Sequence, residues 1–89
     1  MDIPIIGSLC VSTAGHDKGR QYIIVKILDE NFVLVADGKY REVKTAKKKR
    51  FKHIKQSTKR VSDKLIQKIL DGTVKDNEIN KEILNLLKE

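Results

Sequence analysis

The basic residues of this chain are concentrated in one segment. Between Lys39 and Arg60 the sequence holds eleven Lys or Arg residues and a single acid, Glu42, so this segment carries a net charge of +10, whereas the whole protein carries +7. The rest of the chain is slightly acidic. Charge confined to one segment produces a directional field that attracts polyanions and accelerates encounter with them. The chemistry that these residue types predict is contact with nucleic-acid phosphates.

The densest part of this basic segment lies between Lys44 and Lys55, where seven cations occur without an acid. Like charges packed this closely repel one another, and a bound polyanion relieves that repulsion. His53 lies among them and is interpreted either as a residue that stacks on a base or touches phosphate, or as a residue at a barrel edge. The cations expected to contact phosphate are Lys39, Arg41, Lys44, Lys47, Lys48, Lys49, Arg50, Lys52 and Lys55. The alternative interpretation is a basic loop that is only solvated.

Catalytic and metal-binding chemistry is disfavoured. Ser12, His16 and Asp17 lie close together in sequence, but neighbours in a turn need not adopt the hydrogen-bonded geometry of a catalytic triad. A single cysteine, Cys10, excludes an intramolecular disulfide, and with two histidines it falls short of a closed zinc site. Cys10 is interpreted as a strand thiol. We predict no enzymatic activity, no metal and no cofactor.

The first half of the chain predicts strands. Runs rich in apolar and β-branched residues occupy 7–12, 22–28 and 32–36, and the last two, separated by a short turn, predict an antiparallel hairpin. A weaker strand is predicted at 51–54. Asp-Gly at residues 37 and 38 favours a two-residue type I′ turn into a strand at 39–43. Five short strands at this spacing predict a small barrel.

The Asp-Gly turn also predicts a register. A two-residue loop pairs Val35 with Tyr40, and this pairing places the start of the basic segment on a barrel strand. The connection from Lys44 to Arg50 is then expected to be its most mobile portion.

From about Arg60 the apolar period changes from strand to helix. One helical face carries Val61, Leu65, Ile66, Ile69 and Leu70, and a second carries Ile79, Ile83, Leu84, Leu86 and Leu87. Gly72 suits a left-handed cap at the end of the first helix, and residues 76–78 suit the start of the second. Helices this short are unstable alone, so their apolar faces must dock on the barrel and on each other.

The chain is therefore expected to be mainly β with C-terminal helices. With 89 residues, 39% of them hydrophobic and 35% charged, it suits one compact domain with a modest core. The expected organisation is a small barrel at 1–56 followed by two short amphipathic α-helices at 57–89. We find no signal peptide and no bilayer-spanning run, and expect a soluble, cytoplasmic protein, most simply a monomer.

The loop after the first strand carries a family resemblance. Residues 9–20, Leu-Cys-Val-Ser-Thr-Ala-Gly-His-Asp-Lys-Gly-Arg, followed by Ile24-Val25, resemble a KOW motif, with Gly15 and Gly19 as its anchors. The resemblance covers about residues 7–38 and implies an SH3-like barrel. The wider pattern through the basic segment is similar to small bacterial KOW proteins related to a KOW-bearing large-subunit ribosomal protein of archaea and eukaryotes.

This resemblance implies RNA as the partner, and ribosomal RNA in particular. Glycines at 15 and 19 allow close approach of the backbone, so bare amides beside two cations can contact phosphate. The loop residues added to the candidate surface are Gly15, His16, Lys18 and Arg20. The alternative is that both glycines only make a tight turn.

The sequence predicts a non-enzymatic RNA-binding protein associated with the ribosome. Aromatic residues are scarce, which disfavours base stacking as the main mode and favours recognition of RNA backbone and shape. One alternative is a protein-interaction adaptor that binds ribosomal, transcription or translation proteins through the barrel or the helices. Another is a protein that coats DNA without sequence preference.

Overall fold

Five strands and two α-helices follow one another in the computed structural model, which describes residues 2–89. The strands are β1 (Ser8–Ser12), β2 (Gln21–Ile27), β3 (Phe32–Ala36), β4 (Lys47–Arg50) and β5 (Ile54–Arg60), and the helices are α1 (Asp63–Asp71) and α2 (Asp76–Lys88). Short 3₁₀ helices lie at Val43–Thr45 and Phe51–His53. The mainly β class with C-terminal helices is confirmed.

The strands form one antiparallel sheet in the order β4-β3-β2-β1-β5. The two outermost strands, β4 and β5, are joined only by the 3₁₀ helix Phe51–His53, so the sheet must curl to bring its ends together. The Thr13 amide donates to the His53 carbonyl at 2.9 Å at this junction. Register shifts within β1 and within β2 add curvature. The result is the small barrel-like unit that the strand spacing predicts.

The core has two parts because successive residues of β1 and β2 point to opposite faces of the sheet. On one face Leu9 and Ile23 pack against the apolar stripes of α1 and α2. On the other, Cys10, Tyr22 and Ile24 pack inside the curled sheet with residues of β3 and β5. Docking of the helices therefore buries the outer face of β1 and β2. Strand β5 extends to Arg60 and therefore crosses the predicted boundary between barrel and helices after residue 56. That division into two parts stays a prediction.

The predicted strand at 39–43 is wrong. Val35 pairs with Lys47 of β4, not with Tyr40. The Asp37 carboxylate accepts hydrogen bonds from the amides of Lys39 (2.9 Å) and Arg41 (2.8 Å), which closes a loop where a hairpin was expected. The segment expected to be most mobile, 44–50, accordingly contains the ordered strand β4. The strand expected at 51–54 begins only at its last residue, since the preceding three form a 3₁₀ helix.

Both helices form where the apolar period changes. The Ser62 hydroxyl accepts a hydrogen bond from the Leu65 amide at the start of α1, and Gly72 at its end has φ of +75°, as predicted. At the start of α2, the Glu78 carboxylate accepts a hydrogen bond from the Lys75 amide. Within residues 2–89, no helix combines the length and the apolar character needed to cross a bilayer.

Candidate nucleic-acid interface

The loop between β1 and β2 is fastened to the basic strand β4 through one carboxylate. Asp17 is only 9% exposed. Its Oδ1 accepts hydrogen bonds from Ser12 Oγ (2.9 Å) and Lys49 Nζ (3.0 Å), and its Oδ2 accepts from Tyr22 Oη (2.7 Å) and Lys47 Nζ (3.0 Å). These donors lie on β1, β2 and β4, so the KOW-like loop and the basic strand form one connected surface. We call these five residues the Asp17 cluster.

The ionisation of the Asp17 cluster is set by these contacts. Burial by itself raises the pKa of the Asp17 carboxyl, but hydrogen bonds from the other four residues outweigh burial and bring this pKa well below its ordinary value. Burial and then the hydrogen bond to Asp17 raise the pKa of Tyr22 to about 12. At neutral pH the cluster therefore contains an ionised carboxylate and a protonated phenol.

Lys49 differs from the other cations of the basic segment. Its side chain is 8% exposed, and its ammonium donates to Asp17 Oδ1, to Ser12 Oγ at 2.9 Å and to the Ala14 carbonyl at 3.1 Å. These contacts account for the three donors of a lysine ammonium. The structure thus places Lys49 beneath the surface, where it ties β4 to the loop, although we had included it among the phosphate contacts.

A groove of about 430 Å³ opens between the loop and β4. Successive residues of β4 point in opposite directions, so Lys48 and Arg50 face away from the Asp17 cluster and are exposed. Their cationic groups lie 4.5 Å and 5.0 Å from the centre of the Phe32 ring. The residues that line the groove are Ala14, Gly15, Phe32, Lys47, Lys48, Lys49, Arg50 and His53. Polar backbone, cationic heads and an aromatic ring thus meet in one open concavity.

A second group of cations surrounds Tyr40, which lies on the loop at 37–43. The guanidinium carbon of Arg20 lies 4.4 Å from the centre of the Tyr40 ring, and Lys39 Nζ lies 5.2 Å from it. Arg20 ends the KOW-like loop, so the two loops meet at Tyr40. Tyr40 itself is 67% exposed.

The sequence matches known ribosomal proteins, although no family model matches it. Over 56 residues it is 43% identical to the large ribosomal subunit protein eL14 of Desulfurococcus amylolyticus, and the match covers 63% of this chain and 58% of that protein. Identity to eL14 of Sulfolobus acidocaldarius is 41% over 58 residues, with the same coverage. Identity to eL14 of Saccharolobus islandicus is 32% over 80 residues, covering 88% of this chain and 74% of that protein. The chain belongs to the eL14 family.

Membership of the eL14 family confirms the resemblance to a KOW-bearing large-subunit ribosomal protein. The chain spans less than two thirds of the length of the first two eL14 proteins, and nearly three quarters of the third. The KOW-like loop and the basic segment both lie within the barrel-like part of this chain.

The structure gathers some of the predicted site residues and separates others. Gly15, Lys47, Lys48, Arg50 and His53 line the groove with Lys49. Arg20 and Lys39 meet at Tyr40. Lys55 lies on β5, at the other end of the strand order from β4. The remaining exposed residues are His16, Lys18, Lys44 and Lys52, and Arg41 is half-buried, with Nη1 donating to the Thr45 carbonyl at 3.4 Å.

The sequence did not predict two features of this surface. Asp17 was interpreted as a turn acid beside His16, yet it binds two lysines while His16 is exposed and takes no part in the cluster. One sequence feature could have indicated this role, because Asp17, between Gly15 and Gly19, is the one carboxylate in the KOW-like loop. The second feature is the exposure of Tyr40, which no hydrophobic periodicity in the sequence indicates. Among residues 2–89 no three His, Cys, Asp or Glu side chains lie together as a metal site.

Proposed function

We propose that this chain is a non-enzymatic, RNA-binding component of the ribosome that contacts ribosomal RNA phosphates through the groove beside β4. The observation that carries the proposal is the arrangement of β4 itself. Lys47 and Lys49 are held by Asp17, and Lys48 and Arg50 on the opposite face are exposed beside the groove. Exposed cations on a strand that is fixed in this way, beside an open concavity, suit contact with a phosphate backbone.

The names of the related proteins support this partner. They are proteins of the large ribosomal subunit, and such proteins work within an assembly of RNA and protein. We further propose a cytoplasmic monomer before assembly, with residues 1–56 forming the RNA-binding unit and residues 57–89 stabilising it from the opposite face of the sheet.

The function is tested by removing two exposed cations. Replacing Lys48 and Arg50 with Gln is expected to reduce the slope of log affinity against log salt by about 1.4–1.8, because each lost phosphate contact removes about 0.7–0.9. At about 0.1 M salt this corresponds to a loss of affinity on the order of 25- to 60-fold. Filter-binding titrations with purified large-subunit ribosomal RNA, repeated over a range of salt concentrations, measure both quantities.

The matched control is Lys26→Gln with Lys81→Gln, which removes the same charge from exposed positions on β2 and α2. We expect this control to change the slope far less, because its cations lie outside the groove. Equal slopes for the two double variants would show that only net charge attracts RNA and would contradict the proposed groove.

A protein-interaction adaptor is the second candidate function. Helix α2 exposes Leu84 (53%) and Leu87 (48%), which lie outside its buried stripe. Two neighbouring exposed leucines suit contact with another protein. A partner that stays bound at high salt and after nuclease treatment would favour this candidate over RNA binding.

A further inference from the structure

Tyr40 is an aromatic side chain that the core does not use. It is 67% exposed, whereas Tyr22 is fully buried in the sheet and Phe32 and Phe51 are half-buried. Exposing a large ring to water forgoes the free energy of its burial. Its position therefore calls for an explanation outside the folding of the barrel.

The loop that carries Tyr40 is held in a fixed shape. The Asp37 carboxylate binds the amides on both sides of Tyr40, and the amides of Asp37 and Gly38 both donate to the Arg41 carbonyl at 3.1 Å. Helix α2 anchors the loop from below, since the Asp76 carboxylate accepts from the Val43 amide at 2.7 Å. A binding group on a preorganised loop loses little conformational entropy when its ligand arrives.

Two cations accompany the ring. The Arg20 guanidinium lies 4.4 Å from the ring centre, within the range of a cation–π contact, and Lys39 Nζ lies 5.2 Å from it. Aromatic rings and guanidinium planes are the two protein surfaces on which unpaired nucleobases stack, and cations beside them attract the adjoining phosphates. Tyr40, Arg20 and Lys39 combine all of these at one exposed point.

We propose that Tyr40 and Arg20 form a stacking site for a single unpaired RNA base. This inference rests on the proposed RNA-binding function and adds a contact of a different kind. The exposed cations beside the β4 groove are proposed to contact RNA phosphates, whereas the Tyr40 site binds the face of a base. Phosphate contacts position the RNA, and the stacked base selects a place where a nucleotide is unpaired.

The test compares two RNA ligands of equal charge. One is a single-stranded oligoadenylate, and the other is an abasic oligoribonucleotide with the same number of phosphates. Stacking of one base contributes about 1–3 kcal/mol, so the wild-type protein should bind oligoadenylate about 5- to 140-fold more tightly than the abasic strand. Tyr40→Leu should lose this preference while its affinity for the abasic strand stays the same. Tyr40→Phe keeps the ring and should keep the preference.

A second variant reports stacking directly. The chain contains no tryptophan, so Tyr40→Trp introduces a single tryptophan at the site, whose emission is distinct from that of tyrosine. Oligoadenylate should quench its emission and the abasic strand should not. Equal quenching by both strands, or a preference for oligoadenylate that survives in Tyr40→Leu, would overturn the stacking site.

The two proposals fail differently. If both strands bind with the same affinity and with strong salt dependence, the stacking site is wrong, and the slopes of the two double variants still decide the phosphate groove. If neither strand binds, the stacking site is wrong, and if large-subunit ribosomal RNA also fails to bind in a salt-dependent manner, RNA binding itself is wrong.

Discussion

Asp17→Ala is expected to lower the free energy of unfolding by about 3–5 kcal/mol, the cost of leaving a buried charge without its partner. Removing the carboxylate leaves the Lys49 ammonium without its counter-charge at a site that is 8% exposed. It also removes the hydrogen-bond acceptor of the Tyr22 hydroxyl. For a small domain whose total stability is about 5–15 kcal/mol, this is a large fraction. Urea unfolding at pH 7 measures the loss.

The control is Glu30→Ala, which removes the same charge from an exposed turn. It should change the free energy of unfolding by no more than about 0.5 kcal/mol, as surface substitutions usually do. If the two variants lose similar stability, the Asp17 cluster does not hold the loop to β4.

The same cluster gives a pH dependence of known sign. The folded-state pKa of Asp17 lies well below the ordinary value of about 3.9 that it takes in the unfolded chain. A depressed pKa contributes stability that is fully present above the unfolded value and is lost as the pH falls towards the folded value. The difference in stability between wild type and Asp17→Asn should therefore be constant from pH 7 to about pH 5 and shrink below about pH 4. A difference that stays constant to pH 2 would contradict the assignment.

Gly38→Ala is the second substitution with a large expected effect. Gly38 has φ of +74°, and a Cβ there would overlap the Asp76 carbonyl group and lie 3.0 Å from the Asn80 amide nitrogen. The left-handed conformation costs a side chain about 1–2 kcal/mol, and overpacking adds about 1–3 kcal/mol. We therefore expect a loss of about 2–5 kcal/mol, measured by urea unfolding.

Gly72 provides a control with almost the same backbone angle. Its φ is +75°, and a Cβ there meets no atom within 4 Å. Gly72→Ala should cost only the backbone term of about 1–2 kcal/mol. The difference between the two alanine variants measures how closely the loop packs on α2, and equal losses would mean that this packing contributes nothing.

The strands β1 to β3 and both helices were predictable because their signals are local. Alternation and β-branched residues mark the strands, and the change of apolar period after Arg60 marks the helices. Gly72 was predictable for the same reason, since a glycine after the last apolar residue of a helix favours a left-handed cap.

The basic strand β4 was not predictable from local signals. Lys47–Arg50 has no apolar residue, and it is a strand because β3 offers it hydrogen bonds and Asp17 offers its inward lysines a partner. Asp17 lies 32 residues from Lys49 in sequence. Asp37-Gly38 gave a local signal for a hairpin that does not form. The Asp37 carboxylate accepts hydrogen bonds from the amides that the hairpin would need.

The long sequence separation between Asp17 and Lys49 also limits how much of the candidate site the sequence can predict. Composition identified the basic segment and predicted a polyanionic ligand. It did not separate Lys49, which is buried, from Lys48 and Arg50, which are exposed, since all three are alike in type and adjacent in sequence. Burial of one of them depends on a carboxylate brought in by the fold.

The order of strands has one further consequence, for solubility. A terminal strand of a sheet offers unpaired amides and carbonyls to any other strand, and natural proteins guard such edges with lysine. Here the terminal strands are β4 and β5, which are among the most lysine-rich parts of the chain. The charges of the proposed RNA-binding surface thus also repel a second copy of the protein, so they protect the edges of the sheet from edge-to-edge aggregation.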